Sequence, residues 1–379
     1  MTNEVLQKIA SDEQNISSSN GLEPFPKLRF KDKNGNDYLE WKTITIKDAL
    51  KYEQPQRYIV KIEDYNNSYP IPVLTANKAF ILGYTKETEG IYNKGDTIIY
   101  DDFTMDLKFV KFNFKVKSSA IKILTSKNGF NLFFIFCLLT SLNLKPQGHQ
   151  RSYISILEPM KVWCPTFEEQ QKIADFLSLV DQRIEKQRQL VESLKKYKRG
   201  ALSRIFNDIE DWEKSEAKDI ATIETGCSNT QDNNPNGLYP FYIRSANIAR
   251  SDKYIFDGEA VLTIGDGQIG KVYHYINGKF DCHQRVYMIT KFKKISGRYF
   301  YHFFSTFFYN RAIKMSAKNT VDSVRMDMIA QMPIYFPDKE KQEQIVSTLD
   351  TIDRFINKQT ELLEQMTSLK KGFLQQMFI

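Results

Sequence analysis

Two long stretches of the chain place apolar residues at alternating three- and four-residue spacing. The first carries Ile173, Leu177, Val180, Ile184, Val191, Leu194, Ala201 and Ile205. The second carries Ile345, Leu349, Ile352, Ile356, Leu363, Met366, Phe373 and Met377. That spacing is a coiled-coil seam, and neither stretch has an internal proline, so each predicts one long amphipathic helix. Pro165 and Pro337 open the two helices, with acidic residues in the first turn where the helix dipole favours them. About 40 helical residues span about 60 Å. One seam position in each helix is polar, Gln187 and Gln359. A polar seam residue fixes register at some cost in stability.

The two helices are copies of one another. Residues 165–206 align without a gap on residues 337–378 at an offset of 172, and 15 of 42 positions are identical. The preceding regions repeat more weakly. Trp41-x5-Lys47-Asp48 matches Trp212-x5-Lys218-Asp219. Tyr69-Pro70 followed by Thr75-Ala76-Asn77 matches Tyr239-Pro240 followed by Ser245-Ala246-Asn247. Gly95-Asp96 before an apolar run matches Gly258-Glu259. The chain therefore reads as two similar halves, each a globular region followed by a long helix.

Within the globular regions the pattern shortens to strand-like runs. These are Tyr58–Ile62, Thr97–Tyr100 and Phe109–Val116 in the first region. The second has Tyr239–Ile243, Ala260–Ile264, Lys271–Tyr275 and Arg285–Thr290, with Asp257-Gly258 and Asn277-Gly278 as expected tight turns. Aromatic-rich helices follow Gly129 and Gly297. The expected fold class is α/β (mixed α+β). Its parts are a flexible extension over 1–37, one domain over 38–164, a helix over 165–206, a second domain over 207–336 and a helix over 337–379. A compact 207–336 region returns the chain to the first helix, so the helices are expected to run antiparallel, with one domain at each end and a pseudo-twofold relation between the halves.

Composition narrows the function. Net charge is +7, short of the strongly basic signature of a dedicated nucleic-acid domain. The four cysteines, Cys137, Cys164, Cys227 and Cys282, form no CxxC, which points to free thiols and a cytoplasmic protein. Phe130–Leu144 is apolar but too short to cross a membrane. The histidines show no metal-ligand spacing, and GxSxG and HExxH are absent, so no catalytic residues and no metal ligands are assigned. Gly265 to Lys271 fits GxxxxGK but lacks the following Ser or Thr and the helix that a phosphate-binding P-loop needs. It reads as a turn between strands, or as a backbone loop that meets a DNA phosphate with Lys271 adding charge.

The repeated pattern carries a resemblance. Glu168-Glu-Gln170-Gln-Lys-Ile173 and Glu340-Lys-Gln342-Glu-Gln-Ile345 open the helices. Lys198-Arg-Gly200-Ala-Leu202 and Lys370-Lys-Gly372-Phe-Leu374, closed by Phe206 and Phe378, end them. With a variable region before each copy, the chain from about Tyr38 to Phe378 resembles the specificity subunit of a type I restriction–modification system. The resemblance implies two target recognition domains, each reading one half of a bipartite, asymmetric site on double-stranded DNA, with the helices as a ruler for the spacer. It implies two modification (methyltransferase) subunits carrying S-adenosylmethionine, and restriction (endonuclease/translocase) subunits using ATP and magnesium. This chain itself would be non-catalytic and would bind no cofactor. The specificity module of a fused type II restriction–methylation enzyme, and a coiled-coil scaffold that binds proteins instead of DNA, are the alternatives.

DNA contact needs Lys, Arg and backbone N–H at phosphates, and Arg, Asn or Gln at base edges. The candidates in the second domain are Arg244, Ser245, Asn247 and Arg250, then Lys271, His283, Gln284, Arg285, Lys318 and Asn319. In the first they are Thr75, Asn77 and Lys78 by repeat equivalence, then Gln147, His149 and Arg151. Each also reads as an ordinary solvated surface group, and the sets carry more than any member. Lys195, Lys196, Lys198 and Arg199 read equally as a solvated helix face, a DNA-attracting patch or a partner contact.

Overall fold

The computed structural model describes residues 26–75, 79–146, 150–207, 209, 211–267, 269–315 and 323–378. The chain divides into two compact units, residues 1–186 with 363–379, and residues 187–362.

In the first unit, β1 (Lys42–Thr45), α1 (Ile46–Ala49) and β2 (Leu50–Glu53) follow Trp41, and Thr45 and Asp48 form a capping box on α1. The strands β3 (Ile71–Leu74), β4 (Ile81–Thr85), β5 (Thr97–Asp101), β6 (Leu107–Val110), β7 (Lys115–Val116) and β8 (Ile121–Ser126) come next. They are followed by α2 (Leu132–Ser141) and β9 (Lys161–Cys164). One sheet has the order β2-β8-β5-β6, a second β4-β3-β7, and β1 pairs with β9. The aromatic α2 is capped by Asn131, whose side chain accepts from Phe134 N, and it packs its buried face in the core with Trp41 and Ile98. The first 20 residues of α3 (Phe167–Asn207) and the end of α7 (Lys339–Met377) complete this core through Ile173, Leu177, Phe373 and Met377. Phe176 meets Phe373, and Lys370 pairs with Asp181 at 2.5 Å. These contacts set the two helices antiparallel in this unit.

The second unit repeats the plan. After Trp212 come β10 (Glu213–Glu216), α4 (Ala217–Ile220), β11 (Thr222–Thr225), β12 (Tyr239–Tyr242), β13 (Ile248–Ser251), β14 (Phe256–Ile264), β15 (Tyr273–Cys282) and β16 (Val286–Thr290). Then follow α5 (Gly297–Met315), α6 (Met326–Ala330) and β17 (Pro333–Phe336). The sheet order is β11-β16-β14-β15-β12-β13, with β10 on β17. In both units one pairing is parallel, β3 on β7 and β12 on β15. The single long β15 joins here what β6 and β7 leave as two sheets in the first unit. The two helices are again antiparallel, with Gln187 on Gln359 and Lys198 on Asp353 at 2.5 Å. Lys198–Asp353 and Lys370–Asp181 are the same pair of repeat positions. The seam residues Ile184, Val191, Ile345, Leu349 and Ile356 are buried, while Val180, Gln187, Leu194, Ile352, Gln359, Leu363 and Met366 are half-buried.

The repeated glutamine of each helix opening has a structural role. Gln170 donates to Pro165 O at 3.0 Å and accepts from Asn131 N at 2.9 Å. Gln342 donates to Pro337 O at 2.9 Å and accepts from Ser296 N at 3.2 Å. Each buried side-chain amide thus ties the start of a long helix to the start of the aromatic helix before it.

Four expectations are corrected. Residues 26–37 are not a flexible extension. Arg29 pairs with the buried Glu169 at 2.8 Å, Trp41 Nε1 donates to that same carboxylate, and Phe30 meets Phe176 edge-on. Residues 1–25 lie outside the described residues. Tyr58–Ile62 is a short 3-10 turn with an isolated bridge, not a strand. Phe109–Val116 is interrupted between β6 and β7. Asp257-Gly258 and Asn277-Gly278 are not turns: Gly258 and Gly278 face each other inside the β14–β15 ladder, both at φ +143°. Glycine tolerates that φ, so the facing pair distorts two strands locally where a turn was expected.

Candidate DNA interface

The chain turns at corresponding places in the two units, and there Arg244, His283, Gln284 and Arg285 of the second unit and Arg151 of the first are found. In the second unit β14 leads into Gly265, whose N–H donates to Arg285 O and whose carbonyl accepts from Val324 N, both at 2.8 Å. A Cβ at residue 265 would lie 2.9 Å from Arg285 O, so this close approach needs glycine. In the first unit Asp102 makes the same two backbone bonds, from its N–H to Ala120 O and from Ser152 N to its carbonyl, both at 2.9 Å. Asp102 and Gly265 are therefore structural equivalents, and Phe103 occupies the place of Asp266. The GxxxxGK segment is the loop of the β14–β15 hairpin, with Thr263 opposite Tyr273, and it opens no helix.

Shared backbone carries different side chains. Asp266 Oδ2 accepts from Arg244 Nη1 at 3.3 Å and from Arg285 Nη1 at 3.0 Å. A cleft of about 190 Å³ opens beside them, lined by Thr225, Gln284, Tyr287 and Ser323 among others. His283 Nδ1 accepts from Arg285 N at 3.0 Å, so in the neutral ring the proton sits on Nε2. Burial, then the positive charge of Arg244, holds His283 below the usual imidazole pKa. Gln284 donates to Asn229 Oδ1 at 2.6 Å. Ser245 Oγ accepts from Asn247 N at 3.2 Å, and Asn247 and Lys271 are exposed. Arg250 is engaged elsewhere, on the carbonyls of Gly237 and Leu238 at 2.9 and 3.0 Å.

In the first unit Phe103 is 40 % exposed, and the Arg151 guanidinium stands 5.9 Å from its ring centre. The buried Asp102 below holds Lys122 at 3.1 Å and accepts from Ser152 N and Tyr153 N. Thr75 Oγ1 donates to Ala79 O at 3.3 Å. Asn77, Lys78, Gln147, His149, Lys318 and Asn319 lie outside the described residues.

Behind each edge, the parallel pairing carries a buried charge at one equivalent position. It is Lys115 in the first unit and Asp281 in the second. Lys115 Nζ pairs with Glu87 at 2.9 Å and donates to Glu89 O. Asp281 accepts from Ser228 Oγ, Ser251 Oγ and Cys282 N at 2.7 to 2.8 Å. Sequence reading missed Phe103, Asp266, Lys115 and Asp281, because only the strand register places them. It also missed that His302, Asp350 and Asp353 come within 4.8 Å of one another. Their carboxylates are already matched, Asp350 by Arg298 at 2.8 Å and Asp353 by Lys198, so the cluster balances its charge without an ion. Among the described residues, no helix is long and apolar enough to cross a membrane.

A twice-repeated mixed α/β domain with a long helix after each copy defines a class of protein, and comparison with known proteins says which. The family described as "Type I restriction modification DNA specificity domain" matches residues 38–196 and again 209–367. The chain belongs to this family, and its role is that of a DNA-specificity subunit. It is similar to the specificity subunit of the type I restriction enzyme EcoR124I/EcoR124II of Escherichia coli, 28% identical, covering 88% of this chain and 91% of that protein. The MjaVIII specificity subunit of Methanocaldococcus jannaschii is 24% identical over the same shares. Among solved structures, a type I S subunit from M. genitalium has the same fold at a TM-score of 0.68 and 15% identity, covering 94% of this chain and 99% of that one. A chain from a structure on complex assembly of a type I system matches at 0.52 and 14% identity, over 89% and 97%.

Proposed function

We propose that each unit reads one half of a bipartite DNA site through the edge just described, and that α3 and α7 set the spacer between the halves. One observation carries this most directly: equivalent backbone positions bear Phe103 with Arg151 in one unit, and Asp266 with Arg244 and Arg285 in the other. One frame with two chemistries is what an asymmetric two-part site requires. The scaffold alternative gives no account of paired guanidiniums exposed on a recessed carboxylate.

Both helices also expose apolar side chains. Leu190 and Tyr197 are 40 % and 64 % exposed, and their repeat equivalents Leu362 and Leu369 are 41 % and 39 %. We infer that modification subunits dock here and bring S-adenosylmethionine and the adenine-methylation chemistry. Restriction subunits would bring ATP and magnesium, leaving this chain as the non-catalytic reader. Co-expression with the modification subunit in a host lacking both, followed by sequencing that detects N6-methyladenine, tests the reading. A new two-part motif with a fixed gap is expected; a soluble complex that methylates nothing overturns it.

A further inference from the structure

We propose that Asp266 is a positioning residue that presents Arg244 and Arg285 as a paired guanine reader, so that the half-site of the second unit contains a G·C pair. This rests on the reading above that the second unit contacts base edges.

Three different strands meet at this carboxylate. Arg244 follows β12, Asp266 follows β14 and Arg285 precedes β16. One oxygen, Asp266 Oδ2, accepts from both guanidiniums. The two donor nitrogens therefore lie no further apart than two hydrogen-bond lengths. Two cations that close repel, and the carboxylate between them offsets the repulsion. The anchor is recessed, with its side chain 21 % exposed, while the two arginine side chains are 47 % and 62 % exposed. A guanidinium has five N–H donors, so each keeps most of its fork directed away from Asp266. The Gly265–Arg285 backbone bond fixes the strand ends, and neutral His283 braces the Arg285 amide.

The chemistry selects the base. A forked pair of donors needs two acceptors side by side, which guanine offers in the major groove as O6 and N7. Adenine presents its N6 donor at the corresponding edge and leaves a guanidinium N–H facing a donor. Phosphate also accepts from arginine but carries no sequence information. Asp266 further reduces the cluster's net charge, which weakens sequence-independent attraction to the backbone.

The test uses the complex of the full chain with its modification subunits. Methylated motifs and DNA affinities are compared for the parent, Asp266→Ala, Asp266→Asn and Arg285→Lys. We expect a guanine in the second half-site of the parent. Asp266→Ala and Arg285→Lys should lower discrimination at that guanine by about 5- to 150-fold, with the first half-site unchanged. Asp266→Ala should also raise affinity for unrelated DNA, whereas loss of a purely structural residue would lower both together. Asp266→Asn keeps an oxygen acceptor and should recover part of the discrimination. Arg285→Lys leaves Asp266 in place, so it reports even if the alanine variant does not fold. A second half-site without a G·C pair, or an unchanged motif in Arg285→Lys, overturns the proposal. So does a change of affinity in Arg285→Lys that is equal for all sequences, with discrimination at the guanine retained, which would place the arginines on phosphate. A parent complex that methylates no two-part motif would instead defeat the underlying reading.

Discussion

Gln187 Nε2 donates to Gln359 Oε1 at 2.8 Å and to Gln359 O at 2.9 Å, and these are the same position of the two repeats, 172 residues apart. In an antiparallel helix pair built from one repeated seam, a position meets its own copy only where the two patterns cross. The glutamines mark that crossing, and a glutamine there can bond its own copy because an amide both donates and accepts.

Replacing Gln187 alone by leucine leaves the half-buried Gln359 amide without its partner. We expect a loss of about 1 kcal/mol, seen as a lower Tm. Replacing both by leucine should recover or raise the Tm while weakening register. A methylated motif with more than one spacer length would show that weakening; an unchanged single gap would show that the glutamines do not set it.

The amides of Gln170 and Gln342 each lock two helix starts. Gln170→Ala is expected to destabilise the first unit by about 1–3 kcal/mol, and Gln342→Ala the second by a similar amount. Hydrogen exchange should quicken at the Asn131 amide in one variant and at the Ser296 amide in the other.

The buried charges Lys115 and Asp281 make separate tests. Lys115→Met leaves Glu87, whose side chain is 12 % exposed, without its cation, at a cost of about 3–5 kcal/mol. Asp281→Ala strands two serine hydroxyls and a backbone N–H. Limited proteolysis should then open the first unit in one case and the second in the other.

Acid should strike the second unit first. His274, His283 and His302 all lie there, and burial holds each below the free value of 6.5. A histidine with a depressed folded pKa binds fewer protons folded than unfolded. Its contribution is fully present above 6.5 and is lost as pH falls towards the folded value. Unfolding monitored from pH 7.5 to 5.5 should show the second unit's transition fall first, and His302→Gln should blunt that fall.

In the first unit, Phe103→Ala and Arg151→Ala remove the ring and the cation from the proposed reading edge. We expect each to relax or shift the first half-site in the methylated motif and to leave the second as it was. Changes in both halves would refute the one-unit, one-half-site assignment.

Much of this architecture is written in the chain itself. The two long helices follow from a seam whose every position is repeated, because burial along a helix is periodic and needs no distant partner to be recognised, and their antiparallel sense follows from a compact 207–336 region that returns the chain. The aromatic helices and four of the second unit's strands, β12, β14, β15 and β16, were equally visible. Asp257-Gly258 and Asn277-Gly278 misled, because glycine serves a strained strand as readily as a turn and only the ladder distinguishes them. The packed segment around Arg29 was hidden, because its partner Glu169 is 140 residues away.

The proposed reading edges belong to the tertiary structure alone. Arg244 and Arg285 stood out as basic residues, but nothing local showed that one oxygen of Asp266 holds both. Arg250 looked as good, yet two donors of its guanidinium are held by loop carbonyls, away from Asp266. Opposite buried charges at Lys115 and Asp281 became equivalents only when the parallel strands were paired. Periodic burial repeats every few residues and leaves its mark on short stretches of sequence. A site assembled from three strand ends has no period, and its geometry exists only once the sheet has formed.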